Sequence, residues 1–510
     1  MLEGREQGPE PTHVVYFGRE REQAAAETHG ELTTRRRSED MTTVDTGHTQ
    51  LFIDDAIIAH QTLLERVVHA PVRSRLNPVL TPDEPWEQPS LDFIAGVYRD
   101  SSSGQFRAWY VTYPQAYPGY HSMLCLATSN DGLHWERPQL DLCQEVIGGP
   151  SNVLCVSEQR WDGPTVLPDP DDGERPWKLV FYRDGNVFVG HSRDGVRWTI
   201  PPDPSDAILP GFGDRTTALL APGTDEPYVI LSRDSADMHQ RQLVRCIYRA
   251  GSDDAQTIHS APLLALRPDL EDGPYVEFYQ MSAFRYASLY LGFIERYHTD
   301  DPPYSDIELT SSRDTRTWQR IRPRTAFFAP PPNGREQGAF DCAAATPANS
   351  PPILHDGALW IYYYGGSSFH GDRFLTRSRC LGLAKLRPDG FVSLRAGRRE
   401  GMVTTVPFTW PGGQLQVNYR VLGGNQWTYD REGSDGWVRA EILDAAGNVI
   451  PGYSRDESNP LYRDATDAEL TWAEEASDLD ALTGKTVALR FLLRSAELYS
   501  FRVAGGKARR

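Results

Sequence analysis

Ser129-Asn130-Asp131-Gly132-Leu133-His134-Trp135 is the stretch that decides the fold, because the chain repeats it. It returns as Ser192-Arg193-Asp194-Gly195-Val196-Arg197-Trp198, and again as Ser312-Arg313-Asp314-Thr315-Arg316-Thr317-Trp318. A worn copy lies between them, Ser252-Asp253-Asp254-Ala255-Gln256-Thr257-Ile258. Successive copies are about sixty residues apart. Asp-Gly makes a tight turn with a positive φ, and the Trp three residues after the glycine starts a strand and buries a large ring. A turn recurring at this period between aromatic-rich strands predicts the blades of a propeller. In such a ring every innermost strand begins at one central mouth, so chemistry is to be sought there.

Between the copies the texture is strand, turn, strand. Phe106-Arg-Ala-Trp109-Tyr110, Lys178-Leu-Val-Phe181-Tyr182, Tyr228-Val-Ile-Leu231, Tyr290-Leu-Gly-Phe293 and Leu359-Trp-Ile-Tyr362-Tyr363 read as the second strands of five units. These units place a five-bladed β-propeller over residues 50–395, opening on the short strand Leu51-Phe-Ile-Asp54-Asp55. Beyond Asp389 the segments become short and alternating, as in Leu415–Tyr419, Val438–Ile442 and Val487–Phe491, and predict a β-sandwich over 402–505. The fold class is therefore all-β. Residues 1–45, rich in Glu, Arg, Gln and Thr with the run Arg35-Arg36-Arg37, read as a disordered extension, and Met41 offers an alternative start.

The bulk numbers set limits. A net charge of −18 argues against nucleic acid and anionic membrane surfaces as partners. Six cysteines without a CxxC pair or a histidine at metal spacing fit free thiols in a reducing compartment. With no apolar run of membrane length and no secretory core after Met1, the expected location is cytoplasmic. Nucleophile elbows, zinc-binding H-E-x-x-H, phosphate loops and dinucleotide fingerprints are absent from the sequence.

Aligning the units exposes a second repeat. Each inner strand is read as opening on an acid: Asp92, Asp162, Asp214, Glu277 and Asp341. Carboxyls gathered within a few ångströms have their pKa values driven apart, which suits one to donate a proton and another to act as base or nucleophile. Trp109, Trp161 and Tyr279 offer flat faces for sugar C–H groups. Arg183, Asp184, Arg215, Arg233, Glu336 and His370 are polar groups expected near the same mouth. No metal-ligand spacing is present, so no cofactor is expected, although the channel leaves room for a structural cation.

With these residues in view, the chain resembles the five-bladed propeller glycoside hydrolases of families 32 and 43 and their relatives. More narrowly, it is similar to a bacterial branch that opens with Leu-Phe-Ile-Asp-Asp, here Leu51–Asp55. The resemblance spans nearly everything after residue 50. It implies that Asp92 is base or nucleophile and that Asp162 orients substrate and tunes pKa. The family's third carboxylate, a glutamate in blade three, has no direct counterpart: blade three carries Asp214-Arg215, and the glutamate comes one blade later as Glu277. Glu277 is taken as the acid, because a carboxyl beside Phe278 and Tyr279 is easier to keep protonated; Asp214 is the alternative. The Trp-x-Asn-Asp-Pro signature of family 32 is absent, and Asp54 and Asp55 are taken to fill its role as substrate-binding residues. The implied function is cleavage or transfer of a glycosidic bond in a small carbohydrate. Two alternatives stay open: phosphorolysis, using Arg183, Arg215, Arg233 and His370, and a sugar-binding propeller without chemistry.

Overall fold

The computed structural model describes Val44 and residues 47–237, 243–300, 302–368, 378–422, 436–473 and 479–505. The expected extension over 1–45 and the loop residue His370 therefore lie outside the described residues, apart from Val44.

Five antiparallel sheets, each built on a row of four strands, make up most of the chain; Leu209–Pro210 adds a short fifth strand to the second sheet and Ile353–His355 one to the fifth. Sheet I comprises Leu91–Arg99, Phe106–Thr112, Ser122–Ser129 and Val153–Ser157. Sheet II comprises Trp161–Pro168, Trp177–Arg183, Asn186–Ser192 and Trp198–Thr199. Sheet III comprises Thr217–Leu220, Tyr228–Asp237, Leu243–Ser252 and Leu263–Leu266, and sheet IV Val276–Tyr286, Leu289–His298, Tyr304–Ser312 and Trp318–Arg320. Sheet V takes Ala344–Pro347, Ala358–Gly366 and Arg379–Leu386, but its fourth strand, Val72–Arg73, comes from the other end of the sequence.

Period-two alternation explains how the sheets meet. In the second strand of sheet I, Phe106, Ala108 and Tyr110 face a core shared with Trp360, Tyr362 and Leu381 of sheet V. The intervening Trp109 and Val111 face a core shared with Trp161, Val166 and Phe181 of sheet II. Separate cores join sheets II and III, III and IV, and IV and V, so the five sheets close into a ring of propeller type. The inner strands are apolar on both faces because each face meets a neighbouring sheet.

The repeated phrase forms the outer turns of this ring. Ser129, Ser192, Ser252 and Ser312 each end a third strand, and each hydroxyl donates to the aspartate two residues on at 3.0–3.1 Å. Each aspartate then accepts the next backbone N–H groups, as Asp131 does from Leu133 and His134 at 2.8 Å. The left-handed position falls on Gly132 and Gly195 in two copies, and on Ala255 and Thr315 in the others.

Two further antiparallel sheets share one apolar core that includes Trp410, Trp472, Phe491 and Phe501. Their strands are drawn from both ends of the described chain. Gln50–Leu51, Ile58–Thr62 and Leu64–Val68 pair with Ala496–Gly505, Gly401–Thr405 and Val392–Ala396, respectively. Residues 50–68 and 392–395, expected in the propeller, thus belong to this two-sheet module by hydrogen bonding. Successive side chains explain the placement: Leu51 and Ile53 enter the core between sheets IV and V, whereas Phe52 enters the module's core. The opening segment bolts the two parts together.

Candidate functional site

The antiparallel order puts the starts of all first strands at one end of the ring, opposite the repeated turns. Asp92 and Asp162 are the second residues of their strands, and Glu277 is the second residue of sheet IV. Asp214 and Asp341 instead lie three residues ahead of Thr217–Leu220 and Ala344–Pro347. The five acids are not equivalent, and their partners differ accordingly.

Asp92 and Asp162 are brought together through Tyr113, a residue that stood out in no sequence pattern. Tyr113 donates its backbone N–H to Asp92 Oδ2 at 3.0 Å. Its hydroxyl donates to the Trp161 carbonyl at 2.5 Å and lies 3.5 Å from Asp162 Oδ1. Burial pushes the Tyr113 phenol well up, and the facing Asp162 carboxylate adds to this, so the hydroxyl stays a proton donor. Arg160 stacks over the Tyr113 ring at 4.4 Å and reaches Asp162 Oδ2 at 3.2 Å. Arg379, of sheet V, stands 3.8 Å from Asp92 Oδ1 and donates to the Asp92 carbonyl at 3.2 Å.

Asp214 and Glu277 make separate ion pairs. Arg233 grips Asp214 with Nε and Nη2, the former at 2.6 Å, and Arg245 pairs with Glu277 Oε2. The two pairs differ in exposure: Arg233 is buried, whereas 39% of the Arg245 side chain is open to solvent. Tyr279 collects the guanidiniums, with Arg215, Arg233 and Arg245 at 4.5, 4.2 and 5.7 Å from its ring centroid.

Arg215 stands at the centre of this end. Its guanidinium lies 4.6 Å from the Phe93 ring of sheet I, donates to the Tyr364 hydroxyl of sheet V at 3.1 Å, and approaches Gln280 of sheet IV at 3.4 Å. Its backbone holds a left-handed φ of 53°. Gly163 of sheet II permits that approach, since a Cβ there would meet Thr216 N at 2.4 Å and the Arg215 carbonyl carbon at 2.6 Å. Burial opposes the charge on Arg215, yet Tyr364, Tyr279, Glu295 and Asp162 together hold the guanidinium protonated.

Other expected site residues are placed elsewhere. Asp341 is buried and accepts from Arg73 Nε at 2.7 Å and from the Tyr363 hydroxyl at 2.9 Å, stitching the N-terminal strand into sheet V. Asp54 caps Ala56 and takes a two-point contact from Arg313, which belongs to a repeated turn at the opposite end of the ring. Asp55 pairs with Arg66 in the module. Trp109 packs on Trp177 at 4.9 Å and donates to the Gly195 carbonyl, and Trp161 packs on Phe181 at 4.4 Å. Both rings are buried in the core between sheets I and II, so neither offers an open face to a sugar. Arg183 lies over Phe188 at 4.0 Å, and burial lowers its pKa. Asp184 and Glu336 are exposed, the first in a hairpin turn and the second in the single helical turn Gly334–Gln337.

All six cysteines are free. Among the described residues no cluster of three or more His, Cys, Asp or Glu side chains is arranged to hold a metal ion. No described helix is long and apolar enough to cross a membrane.

No protein-family model and no curated protein matches the chain. Solved structures with a similar course of the chain include a β-1,2-mannobiose phosphorylase from Listeria innocua in complex with β-1,2-mannobiose. It is 12% identical with a TM-score of 0.44, over 62% of this chain and 96% of that one. A glycosyl hydrolase from Bacteroides ovatus is 14% identical with a TM-score of 0.41, over 63% and 94% of the two chains. An N-acetylgalactosamine deacetylase from F. plautii, in complex with blood group B trisaccharide, is 15% identical with a TM-score of 0.40, over 64% and 95%.

Proposed function

We propose that the chain cleaves or transfers glycosidic bonds of a small carbohydrate at the mouth of the sheet ring. The observation that carries this reading is the Asp92–Tyr113–Asp162 arrangement: two carboxylates from neighbouring sheets on either side of one half-buried tyrosine, whose N–H Asp92 accepts and whose hydroxyl lies 3.5 Å from Asp162. Asp92, buried and immobilised, suits the base or nucleophile. Asp162, partly open to solvent, suits a group that orients sugar hydroxyls.

Glycoside cleavage also needs a proton donor for the leaving oxygen. Glu277 and Asp214 are both engaged by guanidiniums, and the accessible partner decides between them. An exposed ion pair is worth at most about 1 kcal/mol, so an entering sugar can displace Arg245 from Glu277. The two-point Arg233–Asp214 contact, made by a buried guanidinium to a half-buried carboxylate, resists such displacement. Glu277 is therefore the better acid and Asp214 a fixed counter-charge. Phosphorolysis is the second reading, favoured by Arg233 Nη1, which is buried without a hydrogen-bond partner.

The test is a screen of the full chain against aryl glycosides and short oligosaccharides, with and without inorganic phosphate, beside Asp92→Asn and Glu277→Gln. Sugar release abolished in both variants supports the assignment, and dependence on phosphate selects phosphorolysis. Turnover that survives both substitutions would sink it. If wild type binds a sugar but turns over nothing, the mouth is a binding site without chemistry.

A further inference from the structure

Arg215 is a fully buried cation without an ion-pair partner within 4 Å among the described residues, although such a charge is costly unless an anion compensates it. Its contacts are neutral: a phenol, an amide and two aromatic rings. One carboxylate that no sequence pattern singled out lies behind it. Glu295 sits in the second strand of sheet IV, directly across from Gln280, the residue whose amide oxygen faces Arg215. It is 1% exposed. Oε1 accepts from Thr346 Oγ1 of sheet V at 2.8 Å, while Oε2 has no hydrogen-bond partner. A buried guanidinium and a buried carboxyl, each short of a direct partner, are thus separated by Gln280, which Arg215 approaches and which stands opposite Glu295 in the ladder. At low effective dielectric a charge pair interacts strongly even beyond contact distance. Asp162 is the other anion facing Arg215, but Arg160 already compensates it.

We propose that Glu295 is a positioning residue, the buried counter-charge that holds the Arg215 guanidinium at the centre of the mouth. The arrangement would keep a cation between Phe93 and Tyr279, below the carboxylates that meet the substrate. Its catalytic consequence rests on the glycoside reading above, whereas the pairing itself does not.

Glu295→Gln is the decisive change, because it keeps the volume and the acceptor for Thr346 and removes only the charge. The pairing is read on the full chain without any substrate, from the 1H–15N signal of the Arg215 Nε–H, identified by its loss in Arg215→Lys. A fixed guanidinium gives a sharp, slowly exchanging signal. We expect it to broaden away in Glu295→Gln and to persist in Glu295→Asp; an unchanged signal in Glu295→Gln overturns the proposal. Should Glu295→Gln not fold, the Arg215→Met/Glu295→Gln double variant decides. Recovery of the melting transition supports the pair, and a double variant no more stable than the single one overturns it. On any substrate the screen yields, Glu295→Gln should lower kcat roughly 10- to 100-fold with little change in KM, the size expected of a misplaced group. Unaltered kcat beside a lost signal would overturn the positioning role while leaving the charge pair. A wild type that turns over nothing would instead count against the glycoside reading alone.

Discussion

The two ends of the sheet ring are built on opposite plans. At the turn end, the repeated phrase satisfies itself: Ser129, Asp131 and the N–H groups of Leu133 and His134 close a hydrogen-bonded knot within six residues. At the mouth, almost every contact is remote in sequence. Arg379 meets Asp92 across 287 positions, Arg215 meets Tyr364 across 149, and Gln280 meets Asn349 across 69. One end is written locally and copied, and the other is assembled once from all five sheets. It follows that changes at the turn end should act on stability alone, and changes at the mouth on activity first.

The largest expected effect tests the mouth. Asp92→Asn keeps an acceptor for the Tyr113 N–H and removes the charge, so turnover should fall by about 10²–10⁴, the usual range for a general base. Steady-state kinetics beside circular dichroism checks this. A fall in turnover that merely follows loss of structure would erase the distinction between the two ends.

Gly163→Ala comes next, and it tests whether the mouth depends on close backbone approach. The residue has a φ of 55° and no room for a Cβ against Thr216 and Arg215. A destabilisation above about 3 kcal/mol in denaturant unfolding is expected, in the range reserved for strained or overpacked positions. A loss below about 1 kcal/mol would mean that Arg215 is held less rigidly than its contacts indicate.

How far the sequence could be read follows the same division. The turn phrase and the five second strands were legible, because each depends on neighbours within a few residues. The acids were found as residue types, but only Asp92, Asp162 and Glu277 open their strands. The sequence holds no sign that Arg73 would arrive from the other end of the chain to claim Asp341. Asp54 failed for a related reason: the strand is only Gln50–Leu51, which hydrogen-bonds to the module, and the turn after it carries Asp54 to the turn end and Arg313. Tyr113 was missed because it lies one residue past the strand Phe106–Thr112 and belongs to no repeated phrase, and Glu295 because its acid is not at a strand start. Glu295, within Leu289–His298, did interrupt an apolar face, and that was its one available clue.

A smaller effect probes the turn end. Asp131→Ala removes the acceptor for two backbone N–H groups and should cost about 1 kcal/mol, as loss of a helix cap does, with kcat unchanged. Altered kinetics in this variant would show that the two ends are coupled. The same carboxyls also carry a pH signature. Partial burial opposes their ionisation, but hydrogen bonds from the following backbone and side chains outweigh it, holding Asp131, Asp194, Asp254 and Asp314 below the ordinary carboxyl value. Their folded pKa lies below the unfolded one, so their stabilisation is present in full above about pH 4 and is lost as the pH falls further. Asp131→Asn should flatten the acid limb of the stability profile, and an unchanged limb would count against the knot.

The smallest effect sharpens the comparison most, because it uses the copies as controls on one another. The left-handed position of the turn is glycine in two copies, but Ala255 holds it at a φ of 58°. A non-glycine residue there bears a steric cost between Cβ and the backbone, on the order of 1 kcal/mol. Ala255→Gly relieves that strain but frees the unfolded chain, which takes back a few tenths. The balance should be a gain of roughly 0.5 kcal/mol in denaturant unfolding. At Gly132 the reverse change, Gly132→Ala, meets both the strained φ and the Tyr362 hydroxyl 2.4 Å from the new Cβ, so it should destabilise by clearly more. If Ala255→Gly instead lowers stability, the worn copy has been refitted around its alanine, and the four turns are not one motif in four places.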